Sequence, residues 1–200
     1  MKHRVNRKPR KNPCQRLDSF THTEWIGVPE NQLVMVDWDN VAVSALQKDL
    51  KICPSKLLQV WFEPAIAFKK RAAACAVMAE RSEERWNLIH AGWEVRSIDR
   101  AITTNVDDWV FKESIDWVTR RYECDTFVLG TGDGDLALRI CEAIHRLRPA
   151  IRLFVFGVPG SISQQIAKSD LIEKVIPLGR DVMHKSGQSE PFSSASGRAA

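Results

Sequence analysis

The residues of this chain best suited to chemistry are acids grouped at the ends of strand-like runs. Asp37, Asp39 and Asn40 follow the run LVMV, Asp107 and Asp108 stand in TNVDD, and Asp133 and Asp135 follow FVLGTG. Two carboxylates about 4 Å apart repel by roughly 4 kcal/mol at an effective dielectric near 20. Acids brought together in this way therefore fold around a cation or keep some members protonated. Oxygen ligands suit Mg²⁺ or Mn²⁺, so the first expectation is a divalent-metal site among these acids, Asp37, Asp39, Asp107, Asp108, Asp133 and Asp135. Each acid also has a structural use. One placed directly after a strand serves as a helix N-cap, with Asp39 or Asn40 the expected cap here, and acids in a helix's first turn are favoured by the helix dipole. Two separate acid-tipped strands are hard to explain by capping alone. The glycines of GTGDGD, residues 130–135, would also let the backbone turn sharply and approach a ligand closely.

The elements that must carry these acids read as alternating strand and helix. Leu33–Val36 is a continuous apolar run, as a strand buried on both faces would be. Pro54 suits the first position of a helix over SKLLQVWFE, and AAACAVMAE fits either strand or helix. Ser82 reads as the cap of a helix with Glu83 and Glu84 in its first turn and Gly92 just past its end. Strand WEVRSI follows. From Val106 to about Arg121 the apolar residues recur at helical spacing, which puts Asp107 and Asp108 in a first turn. The remainder alternates as strand TFVLG, helix DLALRICEAIHRL, strand IRLFVFG, helix SISQQIAKS and strand EKVIPL. This order predicts an α/β fold, a parallel sheet with right-handed crossovers and helices on both faces. Ligands of such sheets bind beyond the strand carboxyl ends, where Asp37, Asp133 and Asp135 are expected.

At 200 residues and 44% hydrophobic content the chain holds one domain with tails to spare. No apolar run reaches membrane-helix length, and the basic start has no apolar segment after it, so neither a membrane span nor a secretion signal is expected. Five scattered cysteines without a Cys-x-x-Cys pair or regular Cys/His spacing argue against a disulfide framework and a zinc site. A reducing, cytoplasmic setting is the expectation. The net charge of +4 divides unevenly: residues 1–16 carry seven basic side chains and no acid, and the rest sums to −3. A basic arm on an acidic body suits a protein that touches nucleic acid, the arm neutralising phosphates, and equally a solvated terminus. The expected organisation is an arm over 1–30, a domain over 31–180 and a Ser/Gly/Ala-rich tail over 181–200. The histidines show no pairing with a nucleophile. Trp38, between the acids, is the one tryptophan with a base-stacking role open to it beside core packing.

The ordered set VMVDWDNV, NVDDWV, TFVLGTGDGDLALRI and FVFGVPGSISQQIAKSD resembles the NYN family of PIN-like, LabA-like ribonucleases over most of residues 33–178. Thr131 stands where the family has serine, Leu136 where it has phenylalanine and Asn105 where it has glycine. The resemblance implies a metal-dependent ribonuclease in which Asp37, Asp133 and Asp135 hold Mg²⁺ or Mn²⁺, Asp107 completes the shell with Asp108 as its substitute, and Asn40 orients water or a phosphate oxygen. It implies RNA as partner, no membrane, and room for a homo-oligomer; Asp170 matches a further family position. D-W-D-N-V also resembles the first motif of haloacid-dehalogenase-type phosphatases, with Asp37 as nucleophile and Asp39 as acid/base, although Ala137 stands where that family wants an acid. A non-catalytic RNA-binding domain of the same fold is the third reading.

Overall fold

The computed structural model describes residues 23, 32–61, 73–79, 82–99 and 105–186. Strand β1 (Gln32–Asp37) runs directly into helix α1 (Trp38–Leu46), and a short strand β2 (Leu50–Ile52) leads to α2 (Pro54–Trp61). Then come β3 (Ala73–Ala79), α3 (Ser82–His90), β4 (Glu94–Ile98), α4 (Val106–Arg120), β5 (Thr126–Gly130), α5 (Gly134–Leu147), β6 (Arg152–Gly157), α6 (Gln164–Lys168), β7 (Lys174–Pro177) and β8 (Met183–Lys185).

Six strands form one sheet in the order β4-β3-β1-β5-β6-β7, and every neighbouring pair is parallel. All six residues of β1 are buried because both of its faces are covered. Val34 and Val36 pack on one side with Trp38, Leu57, Trp61 and Leu88. Leu33 and Met35 pack on the other with Val110, Trp117, Ile140 and Ile166. The same alternation runs through β5 and β6, so α1, α2 and α3 cover one face and α4, α5 and α6 the other. The chain moves outward from β1 to β3 and β4, then returns through α4 to lay β5 on β1's other side. Strand order therefore reverses between β1 and β5, and a sheet of this kind opens its binding crevice beyond the carboxyl ends of those two strands.

The fold class is the one the sequence predicts, and the ambiguous AAACAVMAE segment supplies strand β3. Helix α6 is shorter than SISQQIAKS suggests, because Ser163 caps it by accepting the Gln165 N–H. The expected boundary at residue 180 falls too early. The Val182 carbonyl accepts the Cys53 N–H at 2.9 Å, and β8 pairs antiparallel with β2. Residues 181–186 thus belong to the body of the domain. Inside the span expected as an arm, Thr23 is buried. Its N–H and hydroxyl donate to Asp181 at 3.0 and 2.9 Å, and its Oγ1 accepts the Gly179 N–H at 2.9 Å. The rest of the arm and the tail beyond 186 lie outside the described residues. Among the described residues no helix is long and apolar enough to cross a membrane.

Candidate metal centre

Asp37 ends β1 and is also the N-cap of α1, because no loop separates the two elements. Its Oδ1 accepts the Asn40 N–H at 3.2 Å, and Oδ2 receives a long contact, 3.4 Å, from the Thr131 hydroxyl. The capping role expected for Asp39 or Asn40 therefore falls to Asp37 itself. Only 3% of Asp37 is exposed. Burial pushes its carboxyl up from 3.8 to about 7; the charges of Asp107 and Asp39 push the same way, while the Asn40 and Thr131 hydrogen bonds pull it back. No cationic side chain is among the groups acting on it.

Asn40, freed from capping, reaches across the crevice, and its Oδ1 accepts the Gly132 N–H at 2.7 Å. Thr131 is fully buried and joins two acids: its hydroxyl donates to Asp37 and accepts the Asp133 N–H at 3.2 Å. Asp133 caps α5, its Oδ1 accepting the Leu136 N–H at 2.9 Å. The glycines beside it serve the protein's own packing. A Cβ on Gly132 would stand 2.5 Å from the Ser161 carbonyl oxygen, and one on Gly134 would stand 2.5 Å from Ser163 Oγ and from Gln165 Oε1. The segment after β6 is pressed against Gly132 and Gly134 and leaves little room for a side chain at either position.

Asn105, which stands where the resemblance expects glycine, caps α4 by accepting the Asp107 N–H at 3.1 Å. Asp107 is held above the ordinary carboxylate range, by partial burial first and then by the charge of Asp133, while Arg139 pulls it down. Asp37, Asp107 and Asp133 thus form an electrostatically connected series. Two predicted ligands stay outside it. Asp108 gives one oxygen to Arg139 at 2.9 Å and the other to Asn105 Nδ2 at 3.0 Å. Asp135 is exposed in the first turn of α5 and is not among the charges acting on Asp37 or Asp107. It stands two residues after the capping Asp133. Asp39 acts on Asp37 by charge, yet its Oδ2 is anchored by the Ala79 N–H at the end of β3, 2.9 Å away. Asp170 is exposed.

Among the described residues no three His, Cys, Asp or Glu side chains close into a group able to hold a metal ion by themselves. The donor chemistry nevertheless suits a hard divalent cation. A buried carboxylate with no counter-charge, beside two more acids, is what such an ion neutralises, and Mg²⁺ commonly binds through one or two carboxylates while keeping several waters. The other chemistries fit less well. Burial holds the thiol of Cys141 up at about 12 and that of Cys124 at about 11, so neither offers a thiolate near neutral pH. Trp38 is 4% exposed and packs in the core, with its indole N–H unpartnered among the described residues. A cleft of about 830 Å³ between α1, α2 and α3 has Trp38, Glu83 and Glu84 in its wall but none of the aspartates discussed above.

No protein-family model matches the sequence, and no curated protein matches it either. Among solved structures the chain is similar to a protein of unknown function from Vibrio parahaemolyticus, with a TM-score of 0.57 and 20% identity over 77% of this chain and 96% of that one. At that identity the likeness shows the α/β fold alone. An O-ureido-L-serine synthase aligns with a TM-score of 0.25 and 11% identity over 74% of this chain and 57% of the other, which carries no argument.

Proposed function

We propose that the protein is a metal-dependent ribonuclease of the NYN kind, using Mg²⁺ or Mn²⁺ to hydrolyse RNA phosphodiester bonds. The observation that carries this reading is Asp37, a buried and uncompensated carboxylate at the reversal of strand order, linked by charge to Asp107 and through it to Asp133. Asp37, Asp107 and Asp133 would hold the ion. When bound, a divalent ion of this sort polarises the phosphodiester and lowers the pKa of a bound water. The chain's own residues set the stage for that chemistry. Thr131 ties Asp37 to the backbone of Asp133, and Asn40 locks the β5–α5 turn onto the start of α1, so the acid-bearing ends of β1 and β5 are fixed relative to each other. With its carbonyl oxygen spent on Gly132, Asn40 keeps its amide donors for a phosphate oxygen or water.

The phosphatase reading asks for Asp39 as a mobile acid/base, and the anchorage of that carboxylate on the β3 backbone disfavours it. The deciding experiment incubates the full chain with end-labelled single-stranded RNA in EDTA, Mg²⁺ or Mn²⁺, and separately with a small aryl phosphate. Cleavage that requires the divalent ion and is lost in Asp37→Asn is the expected result. Metal-dependent release of phosphate from the aryl ester, lost in Asp39→Ala and without RNA cleavage, would replace this reading with the phosphatase one.

A further inference from the structure

Helices α4 and α5 lie side by side on one face of the sheet, and at their junction beside the acids stands one arginine. Arg139 Nη2 donates to Asp108 Oδ1 at 2.9 Å, and its guanidinium lies 4.9 Å from the centre of the Phe111 ring. Asn105 Nδ2 holds the second oxygen of Asp108 at 3.0 Å, so that carboxylate is fixed from both sides and in turn fixes the arginine. About half of the Arg139 side chain is exposed, 49%, and one N–H bond to Asp108 is its whole hydrogen bonding among the described residues. It is also the one cation among the groups that act on Asp37 or Asp107.

An exposed ion pair of this kind adds little to stability, and pinning two helices leaves the remaining guanidinium donors without a purpose. A planar fork of N–H donors matches phosphate oxygens, and stacking on an aromatic ring preorganises it. The neighbouring acids pose the problem that such a group solves, since a phosphodiester anion approaching Asp37, Asp107 and Asp133 meets like charge on every side. We infer that Arg139 is the residue that receives the substrate phosphate at the rim of the acid crevice, and that Asp108 is its positioning residue. The identity of the ligand as an RNA phosphodiester rests on the ribonuclease reading; the juxtaposition of Arg139, Asp108 and Phe111 does not.

The test measures binding of a labelled single-stranded RNA oligonucleotide by fluorescence anisotropy across a salt series, in EDTA and in Ca²⁺, together with Mn²⁺-dependent cleavage kinetics. It uses the full chain and its Arg139→Ala, Arg139→Lys and Asp108→Asn variants. Each phosphate neutralised on a single strand contributes about 0.7 to the slope of log affinity against log salt. Arg139→Ala should lose about that much slope and raise KM on the order of tenfold, with its urea midpoint close to that of the wild type. Arg139→Lys should keep the slope while KM stays raised, because the charge remains and the fork is gone. Asp108→Asn should keep the slope. If Arg139→Ala leaves slope and KM unchanged while the wild type cleaves RNA, Arg139 only pins the helices and the ribonuclease reading stands without it. If slope is lost in Arg139→Ala but no metal supports cleavage by the wild type, the phosphate site stands and the ribonuclease reading falls. A wild type with no salt-dependent affinity in either medium overturns the inference outright.

Discussion

Removing the charge of Asp37 should make the metal-free protein more stable, and only above the acid range. Its folded-state pKa of about 7, against 3.8 ordinarily, means that the native state holds this proton more tightly than the unfolded chain. Between those values the native state binds more protons, so stability falls as pH rises from about 4 to 7 and stays reduced above that. The shift corresponds to about 4 kcal/mol at 1.36 kcal/mol per pH unit. Asp37→Asn abolishes this penalty and keeps the cap, since an amide oxygen can accept the Asn40 N–H as the carboxylate does and its NH₂ can donate to the Thr131 hydroxyl. Allowing for the buried amide, a gain of about 2 to 4 kcal/mol is expected at pH 8 in EDTA, fading to nothing near pH 4. Urea unfolding followed by tryptophan fluorescence across this range measures it directly. Mn²⁺ at a hundred times its dissociation constant should stabilise the wild type by about 2.7 kcal/mol and the variant by much less. A variant less stable than the wild type at pH 8 in EDTA would show that the Asp37 charge is already compensated, and the case for a cation there would collapse.

Asp133→Asn should abolish Mn²⁺-dependent cleavage with stability held within about 1 kcal/mol, because asparagine caps a helix as well as aspartate does; wild-type rates at saturating Mn²⁺ would remove Asp133 from the site. Asp135→Asn, altering an exposed first-turn acid, should leave metal affinity within about twofold, as isothermal titration can check; a large loss would return it to the ligand set. Gly130→Ala should destabilise by roughly 1 to 3 kcal/mol through overpacking, since a Cβ there would come within 2.3 Å of the Phe156 ring, itself packed on Trp61 at 4.9 Å; an unchanged urea midpoint would contradict that contact. Deleting residues 1–16 removes the seven basic side chains and should flatten the salt dependence of RNA binding while cleavage at saturating RNA persists; an unchanged slope would make the arm a solvated terminus and turn attention to Lys69, Lys70 and Arg71, which lie outside the described residues.

The centre of the sheet was legible because β1, β5 and β6 are buried on both faces, whereas β3 read equally as strand or helix. LVMV, TFVLG and RLFVFG are near-continuous apolar runs of strand length, while the caps Asn105 and Ser163 emerged only from the structure. Strands β2 and β8 were not legible. Three residues carry no period, and their pairing joins segments more than 130 residues apart through backbone bonds that any side chains could make. Arg139 was missed for a related reason. On a helix read alone it is an ordinary surface arginine, and only the packing of α4 against α5 brings Asp108 and Phe111 to it. A basic residue four positions after Asp135, on a helix that is otherwise apolar toward the sheet, was the one available signal.

The sequence sets capping and metal binding against each other as rival uses of the same acids, and the geometry dissolves that rivalry. A carboxylate has two oxygens. Asp37 spends Oδ1 on the Asn40 N–H, leaving Oδ2 with only the long Thr131 contact; Asp133 spends Oδ1 on the Leu136 N–H, leaving Oδ2 without a partner among the described residues. The cap fixes each side-chain torsion without consuming its charge, so a metal ion arriving at the second oxygen would meet a ligand whose conformational entropy is already lost. The same device explains why Asp107, in the first turn rather than at the cap, is the more exposed member of the series and depends on Asn105 to fix the helix start beneath it. It follows that Asn105→Ala, which removes the cap of α4 without touching a charge, should weaken Mn²⁺ affinity through the misplacement of Asp107, and it also frees the Asp108 oxygen that Asn105 Nδ2 holds. Asn105→Ser restores an acceptor for the Asp107 N–H without adding a charge beside Asp108 and should recover most of that affinity. Titration of the three proteins with Mn²⁺ decides the point: equal affinities would mean that the start of α4 does not position a ligand, and that Asp107 contributes only its charge.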